Sequence, residues 1–335
     1  MNGGEWWLGH GIFAPMKAAL ATAYGGPDVI RIADVPTPSP KPNELLVRVH
    51  SSAVNAADWR LRRAEPWFVR LVFGLFKPSR PILGVVFAGE VVEAGSAVTK
   101  YTQGDRLFGW TGTTRLGGHA EFVALPEDGA FAHIPTEQSY SDAAAIPFGF
   151  GTALHFLRNA NVSKGQQVLV YGASGAVGSA AVQLARSMGA EVTGVCSTRN
   201  VELVRSLGAT AVLDYTKDDI LSHRDRFDVV FETVGKLPFK HCLQLVKAQG
   251  TVIAGSEMPA QMMARAFAGK GGKNAKVIGA SFSATKADMD NLAGRWQRNE
   301  LQPVIDSLYP LDRITEAHAV AESWRKRGNV VVTMD

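Results

Sequence analysis

Apolar and polar positions follow two different rhythms along the chain, and the change comes near residue 140. Between residues 16 and 135, short apolar runs separated by Gly, Pro and Asp turns predict a β-rich unit. Beyond residue 140, helical periodicity alternates with apolar strands predicted at 167–171, 191–196, 209–214, 227–231, 251–255 and 276–280. Alternating strands and helices with short connections indicate right-handed βαβ units on a parallel sheet.

The pattern beyond residue 285 is different again. It is typical of a helix over 286–299, a loop, a second helix over 314–326 and a final strand over 330–334. A terminal strand needs a sheet to join, and the β-rich unit is the expected host.

The length of the chain, 335 residues, exceeds what one hydrophobic core usually supports. We therefore predict an α/β protein of two domains. The β-rich domain comprises residues 16–142 and 286–335, and a doubly wound nucleotide-binding domain comprises residues 143–285. Residues 1–15 precede a second methionine, Met16, and are interpreted as an unstructured N-terminal extension.

The composition excludes several classes of protein. With 46% hydrophobic residues the chain is not disordered, and a net charge of +4 spread along it does not predict nucleic-acid binding. Two cysteines, Cys196 and Cys242, are too few for a disulfide framework or a Cys-rich zinc site, so we expect a cytoplasmic protein. No apolar stretch reaches the roughly eighteen residues of a membrane span, and the basic start of a signal peptide is missing.

A glycine-rich turn between a predicted strand and a predicted helix is the clearest chemical signal. Glycines three residues apart let the backbone turn tightly and approach a pyrophosphate, while the helix that follows offers free N–H groups to the anion. The expected cofactor-binding residues of this turn are Gly172, Ala173, Ser174, Gly175, Ala176, Val177 and Gly178.

The end of the next predicted strand indicates which dinucleotide is preferred. An NAD site places Asp or Glu there, to accept hydrogen bonds from the ribose 2′-hydroxyl. This chain instead has Ser197, Thr198 and Arg199, two hydroxyls and a guanidinium that suit a 2′-phosphate. We therefore predict NADP(H) as the cofactor. In the alternative interpretation, Ser197 or Thr198 only caps the following helix.

Several segments, taken in order, carry a resemblance to a known family: 55–63, 84–109, 117–126, 143–157, 170–185, 208–215, 227–235 and 327–334. From Met16 to the C-terminus the chain resembles the medium-chain dehydrogenases/reductases, in particular the zinc-independent quinone oxidoreductases. The resemblance implies a GroES-like β-rich catalytic domain, interrupted by a Rossmann domain and completed by the C-terminal segment. We also expect a homodimer.

The zinc-dependent relatives differ from this chain at two places. They carry Gly-His-Glu where this chain has Gly84, Val85 and Val86, and valine cannot ligate a metal. They also insert a loop with four cysteines, whereas residues 106–116 contain none. We therefore predict that no zinc is bound.

Matching positions in the family imply further site residues. Asn55 would lie beside the nicotinamide ribose or the substrate, and Thr152 would lie under the nicotinamide ring. Other expected neighbours of the cofactor are Tyr215 near the adenosine and, through backbone contacts, Gly255, Ser256 and the 280–282 stretch with Phe282. Asn329, also among the expected cofactor residues, stands where the family usually has lysine, so a cationic contact is expected to be missing.

Without zinc, the acceptor of a hydride must already be electrophilic, which favours a small hydrophobic quinone or α,β-unsaturated carbonyl compound. Asn55 could donate a hydrogen bond to the developing oxyanion, and Asp58 is interpreted as a partner of turn amides. Two other functions stay open: an NADP-dependent alcohol dehydrogenase or aldehyde reductase, and an NADPH-binding structural or regulatory protein. For the aromatic-rich segment 66–78, an apolar lid and core or subunit packing remain equal alternatives.

Overall fold

The computed structural model describes residues 14–255, 274–279 and 282–334. Of the predicted extension 1–15, only residues 14 and 15 lie within these ranges, and the Ala14 carbonyl accepts a hydrogen bond from the Thr37 hydroxyl at 2.6 Å. None of the described helices has the length and apolar character that a membrane span requires.

The first part of the chain is built mostly of strands, as the turn-separated apolar runs predict. Its elements are β1 (Met16–Ala21), β2 (Ile30–Val35), β3 (Glu44–Val54), α1 (Ala56–Arg63), α2 (Arg70–Phe73), β4 (Val86–Ala94), β5 (Arg106–Trp110), β6 (Phe122–Pro126), β7 (Ala130–His133) and α3 (Tyr140–Ala144).

Strands and helices then alternate. The elements are α4 (Pro147–Asn159), β8 (Gln167–Tyr171), α5 (Ala176–Ser187), β9 (Glu191–Cys196), α6 (Val201–Ser206), β10 (Ala211–Asp214), β11 (Phe227–Glu232), α7 (Phe239–Leu245), β12 (Val246–Ala254), β13 (Lys276–Ile278), α8 (Lys286–Gln297), β14 (Ile305–Pro310), α9 (Ile314–Glu322) and β15 (Asn329–Thr333).

Strands β8 to β13 form a six-stranded parallel sheet in the order β10-β9-β8-β11-β12-β13, which confirms the predicted βαβ arrangement. The order reverses between β8 and β11. In open α/β sheets, ligands bind beyond the carboxyl ends of the strands at this switch point. The glycine-rich turn that follows β8 lies at that place.

The other large sheet has seven strands and includes the end of the chain. Its strands follow the order β14-β15-β3-β4-β5-β7, with β6 paired to β3. Strand β15 runs antiparallel to β3, with Val330 opposite Val54, so the terminal strand joins the β-rich sheet as predicted. The shorter strands β1 and β2 form a separate antiparallel pair.

The prediction for the C-terminal part of the chain was partly wrong. The stretch predicted as a loop contains β14, which pairs in parallel with β15. A half-exposed edge strand with Asp306 and Pro310 shows no regular alternation of apolar and polar positions, so the sequence hides it. The two flanking helices are also shorter than predicted, because they end at Gln297 and Glu322.

Helix α4 joins the two large sheets. Its Phe150 and Leu154 belong to one buried cluster together with Phe108 of β5 and Val168 and Val170 of the parallel sheet. This shared core packs α4 against both large sheets.

Candidate cofactor site

The turn after β8 has a geometry that only glycine permits. Gly172 adopts a φ of +81°, and a Cβ on Gly178 would lie 2.1 Å from the Gly172 carbonyl oxygen. Helix α5 then begins at Ala176, with Gly175 as its N-cap, so the first N–H groups of the helix point back at the turn. The predicted strand, turn and helix are confirmed, and the turn is shaped to receive an anion.

A cavity of about 580 Å³ opens beside this turn. Seven of the predicted cofactor residues line it: Gly172, Ser174, Gly175, Ser197, Thr198, Arg199 and Tyr215. The other members of the turn lie in its supporting backbone, with Ala173 fully buried and Ala176, Val177 and Gly178 in the first turn of α5. The structure therefore brings the glycine turn and the end of β9 to one site.

Sequence reasoning missed a carboxylate that meets this site from the neighbouring strand. Asp214, at the end of β10, accepts hydrogen bonds from the Thr198 hydroxyl at 2.5 Å and the Thr216 hydroxyl at 2.7 Å. These hydrogen bonds, the one from Thr198 first, hold the pKa of Asp214 below its usual range. The single hydroxyl hydrogen of Thr198 is thus given to Asp214 and cannot be donated to a phosphate.

Ser197 and Arg199 remain as the predicted phosphate donors. Ser197 accepts a hydrogen bond from the Asn200 amide at 3.3 Å, which leaves its own hydroxyl hydrogen for a ligand. Within the described turn 198–200, Ser197 makes no side-chain capping bond, which counts against the capping alternative for this residue. The exposed guanidinium of Arg199 donates to the Arg325 carbonyl oxygen.

Three cations that the sequence did not single out also line the cavity: Lys236, Arg325 and Lys326. The Lys326 ammonium donates to the Gly328 carbonyl oxygen, and burial lowers the pKa of this lysine to about 8. Lys236 lies over the Trp324 ring, 5.6 Å from its centroid. With Arg199, four basic side chains belong to the described lining, which contains no Asp or Glu, so the cavity is attractive to an anion.

The segment before β15 packs directly on the glycine turn. The Gly328 N–H donates to the Ser174 carbonyl oxygen at 2.7 Å, and Gly328 forms a parallel bridge with Gly175. Asn329 is buried outside the described lining, and its amide donates to the Val304 carbonyl at 3.1 Å. The expectation that position 329 lacks a cationic contact stays a prediction, and Lys326, three residues earlier, lines the cavity.

Asn55 and Asp58 lie at the start of α1. Asn55, which is 3% exposed, caps the helix, and its amide donates to the Ala53 carbonyl at 3.0 Å. Asp58 accepts hydrogen bonds from the backbone N–H groups of Asn55 (2.8 Å), Gly84 (3.1 Å) and Val85 (3.0 Å), which confirms its predicted role as a partner of turn amides. Complete burial raises the pKa of Asp58 to about 7.

The remaining predicted residues lie along α4 and the ends of β12 and β13. Thr152 is buried in α4, and its hydroxyl has no hydrogen-bond partner among the described residues. The Phe282 ring packs edge-on against Trp110 at 5.5 Å and would contact a side chain placed at Gly151. Gly255 follows β12, and its N–H donates to the Glu232 carbonyl at 2.8 Å. Ser256 and residues 280 and 281 lie outside the described ranges.

The donor set of a zinc site is missing from the described residues, which contain no group of three His, Cys, Asp or Glu side chains able to hold a metal. Val85 and Val86 are fully buried. Burial lowers the pKa of His119 to about 4, so its ring is neutral, and His155 exchanges a hydrogen bond with Asn159 at 3.0 Å. The two cysteines are free and buried.

Comparisons with known proteins agree with this architecture. Residues 41–136 match the alcohol dehydrogenase GroES-like domain, and residues 207–332 match the zinc-binding dehydrogenase family. The chain is 32% identical to the quinone oxidoreductase of Sus scrofa, over 90% of this chain and 93% of that protein. It is 30% identical to the chloroplastic NADPH-dependent alkenal/one oxidoreductase of Arabidopsis thaliana, over 95% of this chain and 79% of that protein.

Among solved structures, the quinone oxidoreductase from Coxiella burnetii superposes with a TM-score of 0.88 at 27% identity, covering 96% of this chain and all of that one. The fold, the glycine turn at the switch point and the sequence identity over nearly the whole chain all point to one family. The chain therefore belongs to the NAD(P)-dependent medium-chain dehydrogenase/reductase family, in its quinone oxidoreductase branch.

Proposed function

We propose that this protein transfers hydride from NADPH to a quinone or another α,β-unsaturated carbonyl compound without the help of a metal ion. The observation that carries the proposal is the basic, hydroxyl-lined cavity at the end of β9, directly beside the glycine turn. The named activities of the quinone oxidoreductase and alkenal/one oxidoreductase relatives support it.

The preference for NADPH rests on the charges of the cavity. A 2′-phosphate would meet the free hydroxyl hydrogen of Ser197 and the guanidinium of Arg199, and charge-assisted bonds of this kind are strong. The nearby carboxylate of Asp214 is bonded to the hydroxyls of Thr198 and Thr216 and lies outside the described lining, so it is not placed as the ribose acceptor of an NAD site. The pyrophosphate would lie on the glycine turn and the N-terminus of α5.

At the nicotinamide end of the proposed site, the cofactor would supply the hydride when bound. The unpartnered Thr152 hydroxyl is buried close to where Phe282 packs on α4, and it is the polar group available to orient the nicotinamide there. The rings of Trp110 and Phe282, in edge-on contact at 5.5 Å, would give this end an apolar side. One Asn55 amide hydrogen is used by Ala53, and the second can be donated to an oxyanion that develops on the acceptor.

No step is assigned to zinc, because valines stand at the ligand positions and the described residues offer no other ligand set. An acceptor must then be electrophilic by itself. An enone would gain the hydride at its β-carbon, a quinone at carbon or oxygen, and each would take a proton from solvent. An unactivated ketone as acceptor, or an alcohol as donor to NADP⁺, would instead be helped by a Lewis acid that this site does not provide.

The cytoplasmic location and the homodimer expected from the sequence belong to the same proposal. The buried, unpaired thiols of Cys196 and Cys242 support a reducing compartment. Light scattering on the purified chain measures its mass in solution and decides the oligomeric state.

NADPH oxidation with a panel of quinones, enones and aldehydes, and NADP⁺ reduction with a panel of alcohols, test the reaction. We expect turnover with quinones or enones, little with the others, and no loss after exhaustive chelation. Elemental analysis of the same preparation should show no stoichiometric zinc. Turnover restricted to alcohols or aldehydes and lost together with one bound zinc per chain would refute the proposal, and tight NADPH binding without turnover would favour a structural or regulatory role.

A further inference from the structure

Exposed apolar side chains are concentrated in one short segment of the molecule. Of the ten large hydrophobic residues that are exposed within the described ranges, six lie between residues 67 and 76: Trp67, Phe68, Leu71, Val72, Leu75 and Phe76. Phe76 is 88% exposed, and Trp67, Leu71 and Val72 are each about 70% exposed. Single exposed apolar residues are ordinary, but a cluster of this kind marks an interaction surface.

The cluster is held in place rather than loosely attached. A helical turn, Trp67–Val69, runs into α2, so Trp67 and Leu71 lie one turn apart on one side, as do Phe68 and Val72. The Tyr24 hydroxyl donates to the Gly74 carbonyl at 2.7 Å. The Ser79 N–H donates to the Phe73 carbonyl at 2.6 Å, and Phe73 itself packs on the main core. The same segment therefore has an anchored inner side and an apolar outer side.

The surroundings of the cluster are basic. Between residues 66 and 89 the sequence contains no Asp or Glu. Arg70, Lys77 and Arg80 are exposed there, and none of them enters an ion pair with a carboxylate of the described residues. Arg70 lies over the Tyr24 ring, 4.9 Å from its centroid, at the base of the cluster. The segment thus carries exposed apolar side chains together with three exposed cations that have no ion-pair partner among the described residues.

We propose that this surface, residues 67–80, docks peripherally on an anionic lipid bilayer, with the aromatic and aliphatic side chains entering the interface and the three cations meeting lipid phosphates. Tryptophan and phenylalanine partition into the headgroup region, and basic side chains add attraction to anionic leaflets. The described helices are too short to span a bilayer, so the contact is a surface one. The inference does not depend on the proposed reaction.

Charge favours a bilayer over a second copy of the chain. A two-fold interface on this surface would bring the same patch of each protomer together, and Arg70, Lys77 and Arg80 of one would face those of the other. Like charges placed across an interface oppose association. An anionic surface instead satisfies every one of these cations.

Co-sedimentation of the full chain with vesicles tests the proposal. We expect binding to phosphatidylcholine vesicles that contain phosphatidylserine, weaker binding to pure phosphatidylcholine, and release by salt. Phe76→Ser should lower the partition coefficient about tenfold, because a largely exposed ring would no longer enter the interface. Lys77→Gln should lower it about fivefold on anionic vesicles only. Leu75→Ser should also lower the partition coefficient. Leu308→Ser is its matched control and should leave the coefficient unchanged, because Leu308 lies outside the cluster and both leucines are 56% exposed.

Four results would overturn the inference. The full chain could stay in the supernatant at every lipid composition, or it could bind equally after Phe76→Ser and Lys77→Gln. Light scattering could show a dimer that Phe76→Ser converts to a monomer, which would make the surface a contact between copies. Phe76→Ser could raise the KM for a soluble acceptor although the full chain does not bind vesicles, and the segment would then be a lid. Thermal midpoints of all variants show that the fold is retained.

Discussion

Replacing Arg199 by alanine should weaken NADPH binding about tenfold and leave NADH binding nearly unchanged. Hydrogen bonds to charged groups contribute about 1.5–3 kcal/mol each when they replace contacts with water. Arg199 is exposed and already donates to the Arg325 carbonyl, so we expect the lower end of that range, and 1.4 kcal/mol corresponds to about a factor of ten. The cations of Lys236, Arg325 and Lys326 remain in the cavity, which further limits the loss.

The assay is a fluorescence titration of the purified chain with each cofactor. Trp324 is part of the cavity lining and 44% exposed, so it offers a signal close to the expected adenosine. Arg205→Ala serves as the matched control, because Arg205 is an exposed arginine on α6 that pairs with Glu202 at 2.7 Å and lies outside the described lining. The NADPH effect should shrink at high salt, since exposed charges are screened.

Equal losses of NADPH and NADH affinity for Arg199→Ala would refute the assignment of the 2′-phosphate to this end of the cavity. So would an equal loss of NADPH affinity for Arg205→Ala, because the effect would then reflect general charge and not a contact.

Three further predictions follow from the site. Asn55→Ala should lower the thermal midpoint, because a buried hydrogen bond to Ala53 is lost, and should also reduce single-turnover hydride transfer by up to about 10²–10³-fold; an unchanged rate per folded molecule would remove Asn55 from the reaction. Gly178→Ala should weaken NADPH and NADH alike, because the new Cβ would lie 2.1 Å from the Gly172 carbonyl, whereas Gly294→Ala in α8 should leave binding intact. The affinity for NADPH should fall as the pH rises through about 8, where Lys326 loses its charge. In Lys326→Met the affinity should not change over this pH range. The same pH dependence in the unchanged protein and in Lys326→Met would argue against this lysine.

The elements with a regular period could be predicted from the sequence. The strand, glycine turn and helix around Gly172 were predicted correctly because turn chemistry and helical spacing agree there. The host sheet of β15 could be expected because a strand at the end of a chain needs a partner. By contrast, β14 stayed hidden, since an edge strand with one exposed side and mixed polarity has no clear period.

The electrostatics of the cavity could be predicted only in part. The hydroxyls and the guanidinium follow β9 directly, so local sequence places them. Asp214 comes from the next strand, and its hydrogen bond with Thr198 depends on the parallel pairing of β9 and β10. Lys326 reaches the cavity because Gly328, two residues later, forms a parallel β-bridge with Gly175. Contacts between distant parts of a chain leave no local pattern, so they could not be predicted from the sequence.

The pairing of β15 with β3 has a consequence for biosynthesis. During translation β3 emerges early, but β15, which pairs with it opposite Val54, is made only after every described strand of the parallel sheet. The parallel sheet, in contrast, uses strands that follow one another closely along the chain. We expect the nascent chain to complete the parallel sheet first and to leave this part of β3 without its neighbour until β15 has been made, so that chains truncated upstream of residue 329 aggregate.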